Sequence, residues 1–192
     1  MRLFFGSCLT LILAAAIGLG ATWLMVTRGI AFGSLTIGAW TAWPKSGSVD
    51  IDPYARAAIA RTGELPIGTG DGVAFYARTD DSGNVFDGRC TFTIGGMTPA
   101  ARYWTLTLYD AQGRLVANTL DRHGFTSAEI VREKDGRIAI NVGPRAQPGN
   151  WLPSGGTEEF VLVWRLYDTP IGVASLTTKE GPMPKVVRKG CL

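Results

Sequence analysis

Three patterns of apolar and polar positions divide the chain. From Leu3 to Val26 the run LFFGSCLTLILAAAIGLGATWLMV carries no charge, and its plain polar residues are Ser7, Thr10 and Thr22. As a helix, about 24 residues at about 1.5 Å each reach about 36 Å, enough to cross a bilayer core with some tilt. A second pattern follows Asp52. Asp52 is placed to cap a helix, Pro53 suits the first helical position, YARAAIAR favours helix, and Gly63 can end it. On that helix Arg56 and Arg61 are expected to face water, with Tyr54, Ala58 and Ile59 inward. The third pattern is alternation. In YWTLTLYD, Trp104, Leu106 and Leu108 share one face, while Tyr103, Thr105, Thr107 and Tyr109 share the other.

The remaining strand signals are shorter. VAFYA at residues 73–77 and RCTFTI at 89–94 read as strands, with a strong turn at Asp80-Asp81-Ser82-Gly83-Asn84 between them. Residues 114–118 read as a strand after the Asp110–Gly113 turn. Asp135-Gly136 predicts a hairpin between 128–131 and 137–142. FVLVWRLY at 160–167 is apolar on both faces and reads as a central strand. The tail from Gly181 is expected to be extended. Spacing of this kind suggests a sandwich or jelly roll. The expected layout is an anchor at 3–26, a juxtamembrane connector at 27–50 broken by glycines and Pro44, and a β-sandwich domain at 51–192. In the connector, Trp40 and Trp43 are candidates for lipid contact or for packing under the domain.

A cleaved signal peptide is the rival reading of the N-terminal run. A signal normally turns polar before its cut, whereas here Trp23, Leu24, Met25 and Val26 continue the apolar stretch, and Trp23 suits an interfacial belt. An uncleaved single-pass anchor is therefore expected, and Cys8 is read as a bystander thiol. Arg2 with the terminal amine before the run nearly balances Arg28 after it, so charge does not orient the segment. Cysteine usage points outward. Cys90 and Cys191 are expected to form a disulfide, as pairs in exported domains often do.

Composition narrows the function classes. The 192 residues carry a net charge of +3, with no long like-charge block and no basic stripe interleaved with aromatics, so nucleic acid is not an expected partner. Only 18% of residues are charged, and 25 are glycine, which suits a turn-rich sheet protein.

Candidate chemistry is sparse. His123 is the one histidine. It follows Asp121 and Arg122, and with a carboxylate nearby it is a candidate acid or base, or a hydrogen-bonded loop histidine. No serine sits in a Gly-x-Ser-x-Gly elbow, and no metal site or cofactor is expected. A calcium site from Asp80, Asp81, Asn84 and Asp87 competes with a plain solvated turn. Trp151 in GNWLP is either a core plug or the aromatic wall of a pocket. Arg165 stands out inside FVLVWRLY. Either the strand face opens to solvent there, with the stem over apolar neighbours, or the guanidinium is buried and paired with an acid, Asp110 or Asp121, since a buried charge needs a partner; the pair is the expectation carried forward. Asp110, Asp121, Arg122, His123, Trp151 and Arg165 are thus the candidate polar or ligand cluster.

Taken together, RYWTLTLYDAQGRLVAN, Asp121-Arg122, NWLP at 150–153, VLVWRLYDTP, DPYARA and the Gly-Asp-Gly at 70–72 resemble the family called domain of unknown function 1214. The resemblance implies a jelly-roll-like β-sandwich in a bacterial, often exported, protein, and no established reaction. That domain often follows another, numbered 1254, for which this chain lacks room. The resulting expectation is an all-β fold with minor helix, an antiparallel jelly-roll-like sandwich behind one transmembrane helix. It would sit in a bacterial inner membrane with the domain periplasmic. Its expected role is non-enzymatic binding of a partner protein or small ligand. The alternatives are a hydrolase or transferase using the Asp/His/Arg cluster, and a structural accessory subunit of a membrane complex.

Overall fold

The structure is a computed structural model that describes residues 2–28, 33–43, 45–62, 65–68, 70–170 and 183–191. The expected helix stop at Gly63, the breaker Pro44, and Gly181 and Pro182 at the start of the tail lie outside the described residues. The fold mixes α and β: among the described residues there are two helices and two sheets, the sheets packed face to face.

Helix α1 (Arg2–Arg28) contains one 24-residue stretch, Phe4–Thr27, long and apolar enough to cross a membrane. None of that stretch is buried against the domain. Helix α2 (Pro53–Thr62) starts as its sequence dictates. Asp52 Oδ1 accepts the N–H groups of Tyr54 at 3.0 Å and Ala55 at 3.1 Å, two donors that the first turn leaves without partners. Ala55 is the most deeply buried residue of this helix, rather than Ala58 or Ile59.

The larger sheet has the order β1 (Leu35–Ile37), β2 (Trp40–Ala42), β3 (Gly72–Ala77), β9 (Phe160–Tyr167), β5 (Tyr103–Asp110), β6 (Gly124–Thr126). The smaller has β10 (Lys185–Cys191), β4 (Cys90–Gly96), β7 (Ile138–Gly143), β8 (Asn150–Pro153). The stretch expected as a connector thus supplies two strands, and Trp40, 1% exposed, is core. Its indole N–H donates to Pro184 O at 2.7 Å. FVLVWRLY is the central strand β9, paired with β3 on one side and β5 on the other. Its inward residues Phe160, Leu162, Trp164 and Leu166 meet Phe92, Ile94, Ile140 and Val186 of the facing sheet in one core. Trp164 packs edge-on to Trp40 at 5.6 Å and against Trp104 at 4.7 Å. Such aromatic pairs add about 0.5–1.5 kcal/mol beyond area burial.

Several expected elements differ. Residues 114–118 do not form a strand; only a single bridge, Tyr109 to Leu115, remains of it. The Asp110 and Asn118 side chains draw that backbone into turns, taking N–H groups of Gln112, Arg114, Leu120 and Arg122. Residues 128–131 likewise form no strand, although the turn at Asp135-Gly136 is real, with Gly136 at φ 84°. NWLP forms edge strand β8, and it pairs parallel to β7, the one parallel pairing among the named strands. Asn150 lies opposite Ile140, about 10 Å back along β7 from Gly143, so residues 144–149 suffice for the return. The buried Asn150 makes the register unique. It accepts from Val131 N and donates to Val131 O and Ala139 O at 2.8–2.9 Å.

Two devices close the sandwich. Cys90 and Cys191 are disulfide-bonded and sit directly opposite each other on β4 and β10. The 80–84 turn is exposed at residues 81–84, as a solvated turn is, but its first residue is drawn inward. Asp80 is only 3% exposed and its Oδ1 accepts Ser82 N and Asn84 N, both at 2.9 Å. Asp81 takes Ala39 N at 3.0 Å and Val186 N at 2.9 Å, tying the two sheets together. Burial pushes the Asp80 carboxyl up, but hydrogen bonds from Asn84 and Ser82 and the Arg188 charge 3.6 Å away hold it below its ordinary 3.8.

Two outcomes follow for stability. Replacing both cysteines with serine removes a link spanning 101 residues, worth up to about 4–5 kcal/mol; a large drop in melting temperature is expected, with β10 protected least in hydrogen exchange. Asp80 binds its proton less readily in the folded state than in the unfolded chain. Its contribution is complete at neutral pH and is lost as pH falls through the lowered folded value. Between about pH 5 and pH 2, wild-type stability should therefore fall more steeply than that of Asp80→Asn; parallel melting curves would contradict this role.

Candidate functional site

The pleat of β9 sends Val161, Val163, Arg165 and Tyr167 to the outer face of the six-stranded sheet. Tyr109, Thr107 and Thr105 of β5 stand beside them on one side, and Tyr76 and Ala74 of β3 on the other, by register. Part of this face is covered. Ile59 of α2 lies over Ala74 and Tyr76, and the cleft left there, walled also by Trp43 and Pro66, is only about 10 Å³. Beyond α2 the face opens into a cavity of about 560 Å³. Its floor is Tyr76, Tyr109, Val161 and Val163; Arg61, Arg78 and Arg165 rim it, with Leu65 and the turn Asp110–Gly113. That volume is in the usual range of small-molecule sites, about 300–1,000 Å³.

The charges are held in place. Arg165 is half-buried, its guanidinium 5.5 Å from the ring centre of Tyr109, and Nη1 donates to the Tyr109 hydroxyl at 3.3 Å. Arg78 lies over the Tyr76 ring at 5.6 Å. Arg61 lies over Trp23 of α1 at 5.2 Å, so the rim of the cavity touches the apolar helix. Among the described residues Arg165 has no ion pair. The expectation of a buried Arg165–Asp110 or Arg165–Asp121 pair is thus corrected. The outer face is open at that point, so the long stem lies over apolar neighbours and the head needs no carboxylate to remain solvated.

Asp110 lines the cavity but is committed elsewhere. Its oxygens accept Gln112 N at 2.9 Å, Arg114 N at 2.8 Å and Arg114 Nε at 2.8 Å. The Arg114 backbone N–H and the other hydrogen bonds of this turn hold its carboxyl below the ordinary value against the opposing effect of burial.

The other candidates form a separate group. His123 Nδ1 is 3.1 Å from Val116 O, and Nε2 is 3.0 Å from Oδ1 of Asp121, which is 97% exposed. Both ring nitrogens are engaged within the loop. Asp121 itself has a positive φ of 52°. Arg122 lies over Phe125 at 5.3 Å and donates to Trp151 O at 3.1 Å. Trp151 is half-exposed and donates to Gly143 O at 3.0 Å; it neither plugs the core, where Leu152 is the buried neighbour, nor lines the cavity. Asp110 and Arg165 therefore share one site, while Asp121, Arg122, His123 and Trp151 share another. Sequence reasoning missed Arg61, Arg78, Tyr76 and Tyr109 as cavity residues. The usable signal was the alternation in YWTLTLYD and FVLVWRLY, which sets Tyr109 and Arg165 on one face.

The oxygens considered for calcium are likewise spoken for: Asp80 and Asp81 by backbone N–H groups, and Asp87 by Arg89 at 2.7 Å. The Arg89 hydrogen bond lowers the Asp87 carboxyl to about 2. Among the described residues no three histidine, cysteine or acidic side chains come together as a metal site.

Comparison with known proteins agrees with this fold. The family described as "Protein of unknown function (DUF1214)" matches over residues 71–171. The crystal structure of the VPA0106 protein from Vibrio parahaemolyticus is similar with a TM-score of 0.56 at 22% identity, over 73% of this chain and 36% of that one. A putative uncharacterized protein from Burkholderia cenocepacia gives a TM-score of 0.41 at 16% identity, over 65% of this chain and 31% of that one. This chain thus spans about a third of the length of these structures. No curated protein matches it.

Because Arg165 holds no carboxylate, Arg165→Met should change stability by no more than about 1 kcal/mol, the worth of an exposed cation–π contact. Asp110→Ala, which strands turn donors, should cost about 1–3 kcal/mol. Chemical denaturation of the two variants checks the order; a larger loss at Arg165 would restore the buried-pair reading.

Proposed function

We propose, from the premise that the chain belongs to the DUF1214 family, that it is a membrane-anchored, non-enzymatic domain that binds a small anionic ligand. The carrying observation is the cavity on the outer sheet face, with three guanidinium groups over an apolar and aromatic floor. Arginine stays charged at any physiological pH and presents a planar fork that suits a carboxylate, sulfonate or phosphate. Among the described residues of the lining the one carboxylate, Asp110, is already engaged by Gln112 and Arg114 and leaves Arg165 uncompensated. Tyrosine and valine below it suit an apolar body attached to the anion.

The location belongs to the same proposal. We read α1 as an uncleaved anchor in a bacterial inner membrane, with the folded domain on the periplasmic side. The Cys90–Cys191 disulfide supports that side, since such bonds persist in oxidising compartments. A jelly-roll-like wiring is part of this reading too. From β3 onward the chain crosses between sheets at β3–β4, β4–β5, β6–β7, β8–β9 and β9–β10, the repeated crossing that such double-sheet folds use.

A soluble aromatic sulfonate, 8-anilinonaphthalene-1-sulfonate, tests the binding. The folded full-length chain in detergent should bind it saturably at one site. Arg165→Gln should weaken binding about tenfold, the worth of one charge-assisted hydrogen bond, at unchanged melting temperature. Unsaturable binding, or binding indifferent to Arg165, would end the proposal.

A further inference from the structure

We infer that the cavity's ligand is a single-chain amphiphile with an anionic head, drawn from the membrane that α1 enters. This deepens the proposed anion-binding role and rests on it. One residue belongs to both places: Arg61 rims the cavity and lies over Trp23, 5.2 Å away, in the apolar helix. Trp23 sits near the C-terminal end of the span Phe4–Thr27, where the helix leaves the bilayer core. The rim at Arg61 therefore lies at the bilayer surface, and a lipid leaving the leaflet beside α1 meets a guanidinium first. Leu65, 90% exposed, adds an apolar lip to the same rim, where solvent alone would favour a polar residue.

The interior is ordered in the sense an amphiphile needs. The guanidinium groups of Arg78 and Arg165 rest over tyrosine rings, and Nη1 of Arg165 is bonded to the Tyr109 hydroxyl. The remaining N–H groups of Arg165 suit the two oxygens of a carboxylate or phosphate head. Val161, half-buried, offers apolar surface against which a chain loses its water, beside the already buried Val163. A cavity of about 560 Å³ takes one alkyl chain with its head, and is too small for the paired chains and headgroup of a phospholipid. Burial of methylene groups supplies affinity, and the arginines choose the sign of the head.

The full-length chain in phosphatidylcholine nanodiscs provides the test, with a palmitic acid analogue carrying a photoreactive diazirine. Crosslinks should fall on the peptides containing Leu65 and Val161–Arg165. Palmitate should compete, while palmitoylcholine, with the same chain and a cationic head, should not. Arg165→Gln should lower labelling about tenfold, and Val161→Asp should abolish it, with disulfide formation and melting temperature reporting that the fold persists. Lysophosphatidic acid competing as well as palmitate would support the anionic single-chain class and place phosphate heads within it. Octanoate, which partitions into water, competing as well as palmitate at equal bilayer content would overturn the membrane source. Labelling spread over α1 alone, or unaffected by the arginines, would overturn the site. If the aromatic sulfonate binds through Arg165 but palmitate neither labels nor displaces it, the anion-binding role stands and the lipid inference fails. If the sulfonate also fails, both fall together.

Discussion

Everything in this molecule is arranged about the two faces of β9. A strand sends successive side chains to opposite sides, so one stretch of eight residues, Phe160–Tyr167, has to satisfy two environments at once. The even positions 160, 162, 164 and 166 are fully apolar and fill the space between the sheets. The odd positions cannot be moved independently of them. A slip of one residue would carry Arg165 into the Trp40–Trp104–Trp164 cluster and push Trp164 out. The register of the core therefore fixes where the guanidinium stands on the outer face. Thr105 and Ala74 flank it as small neighbours on the adjoining strands, leaving room above the sheet.

That register is secured from both edges. Asp81 accepts an N–H from Ala39, beside β2, and another from Val186 on β10, so a single carboxylate joins the two sheets. Trp40 does the same through its indole bond to Pro184 O. The disulfide holds the last strand against β4 at directly opposed positions. These links concentrate at the start and end of the folded part, where a chain frays most readily. Their consequence for the site is indirect: β2, β3 and β9 are adjacent, so fastening β2 steadies the floor on which α2 and the cavity rest.

Sequence patterning revealed the parts governed by one strong local rule. The pleat of β5 and β9, the Asp52 cap of α2, the apolar length of α1 and the pairing of Cys90 with Cys191 are each set by a periodicity, a cap or a thiol count. Where several weak rules compete, the reading failed. β8 is hidden because Gly149 and Asn150 look like turn residues, yet Asn150 is buried and satisfied by Val131 and Ala139, partners far away in sequence. Residues 114–118 look like a strand, but the Asp110 and Asn118 side chains compete successfully for the backbone. Arg165 was legible as an oddity with two readings, buried pair or open face, and patterning cannot decide between a covered outer face and one that carries a cavity. Arg61 is exposed as expected, but its contact with Trp23 on another helix was not legible, since no local rule joins the two.

What the cavity can do chemically is limited by how its polar groups are held. Turnover by acid or base catalysis needs a group that gains and loses a proton near neutral pH. The guanidinium groups of Arg61, Arg78 and Arg165 do not. The Asp110 carboxyl is kept ionised by the backbone N–H of Arg114 and by the further hydrogen bonds of that turn. The Tyr109 hydroxyl accepts a hydrogen bond from Arg165. His123 lies in a different group, with both nitrogens used within its own loop. On the proposed reading, an anion in this cavity meets permanent positive charge over an apolar and aromatic floor, and that lining favours retention of the ligand as it arrives. The contact of Arg61 with Trp23 joins the rim to α1.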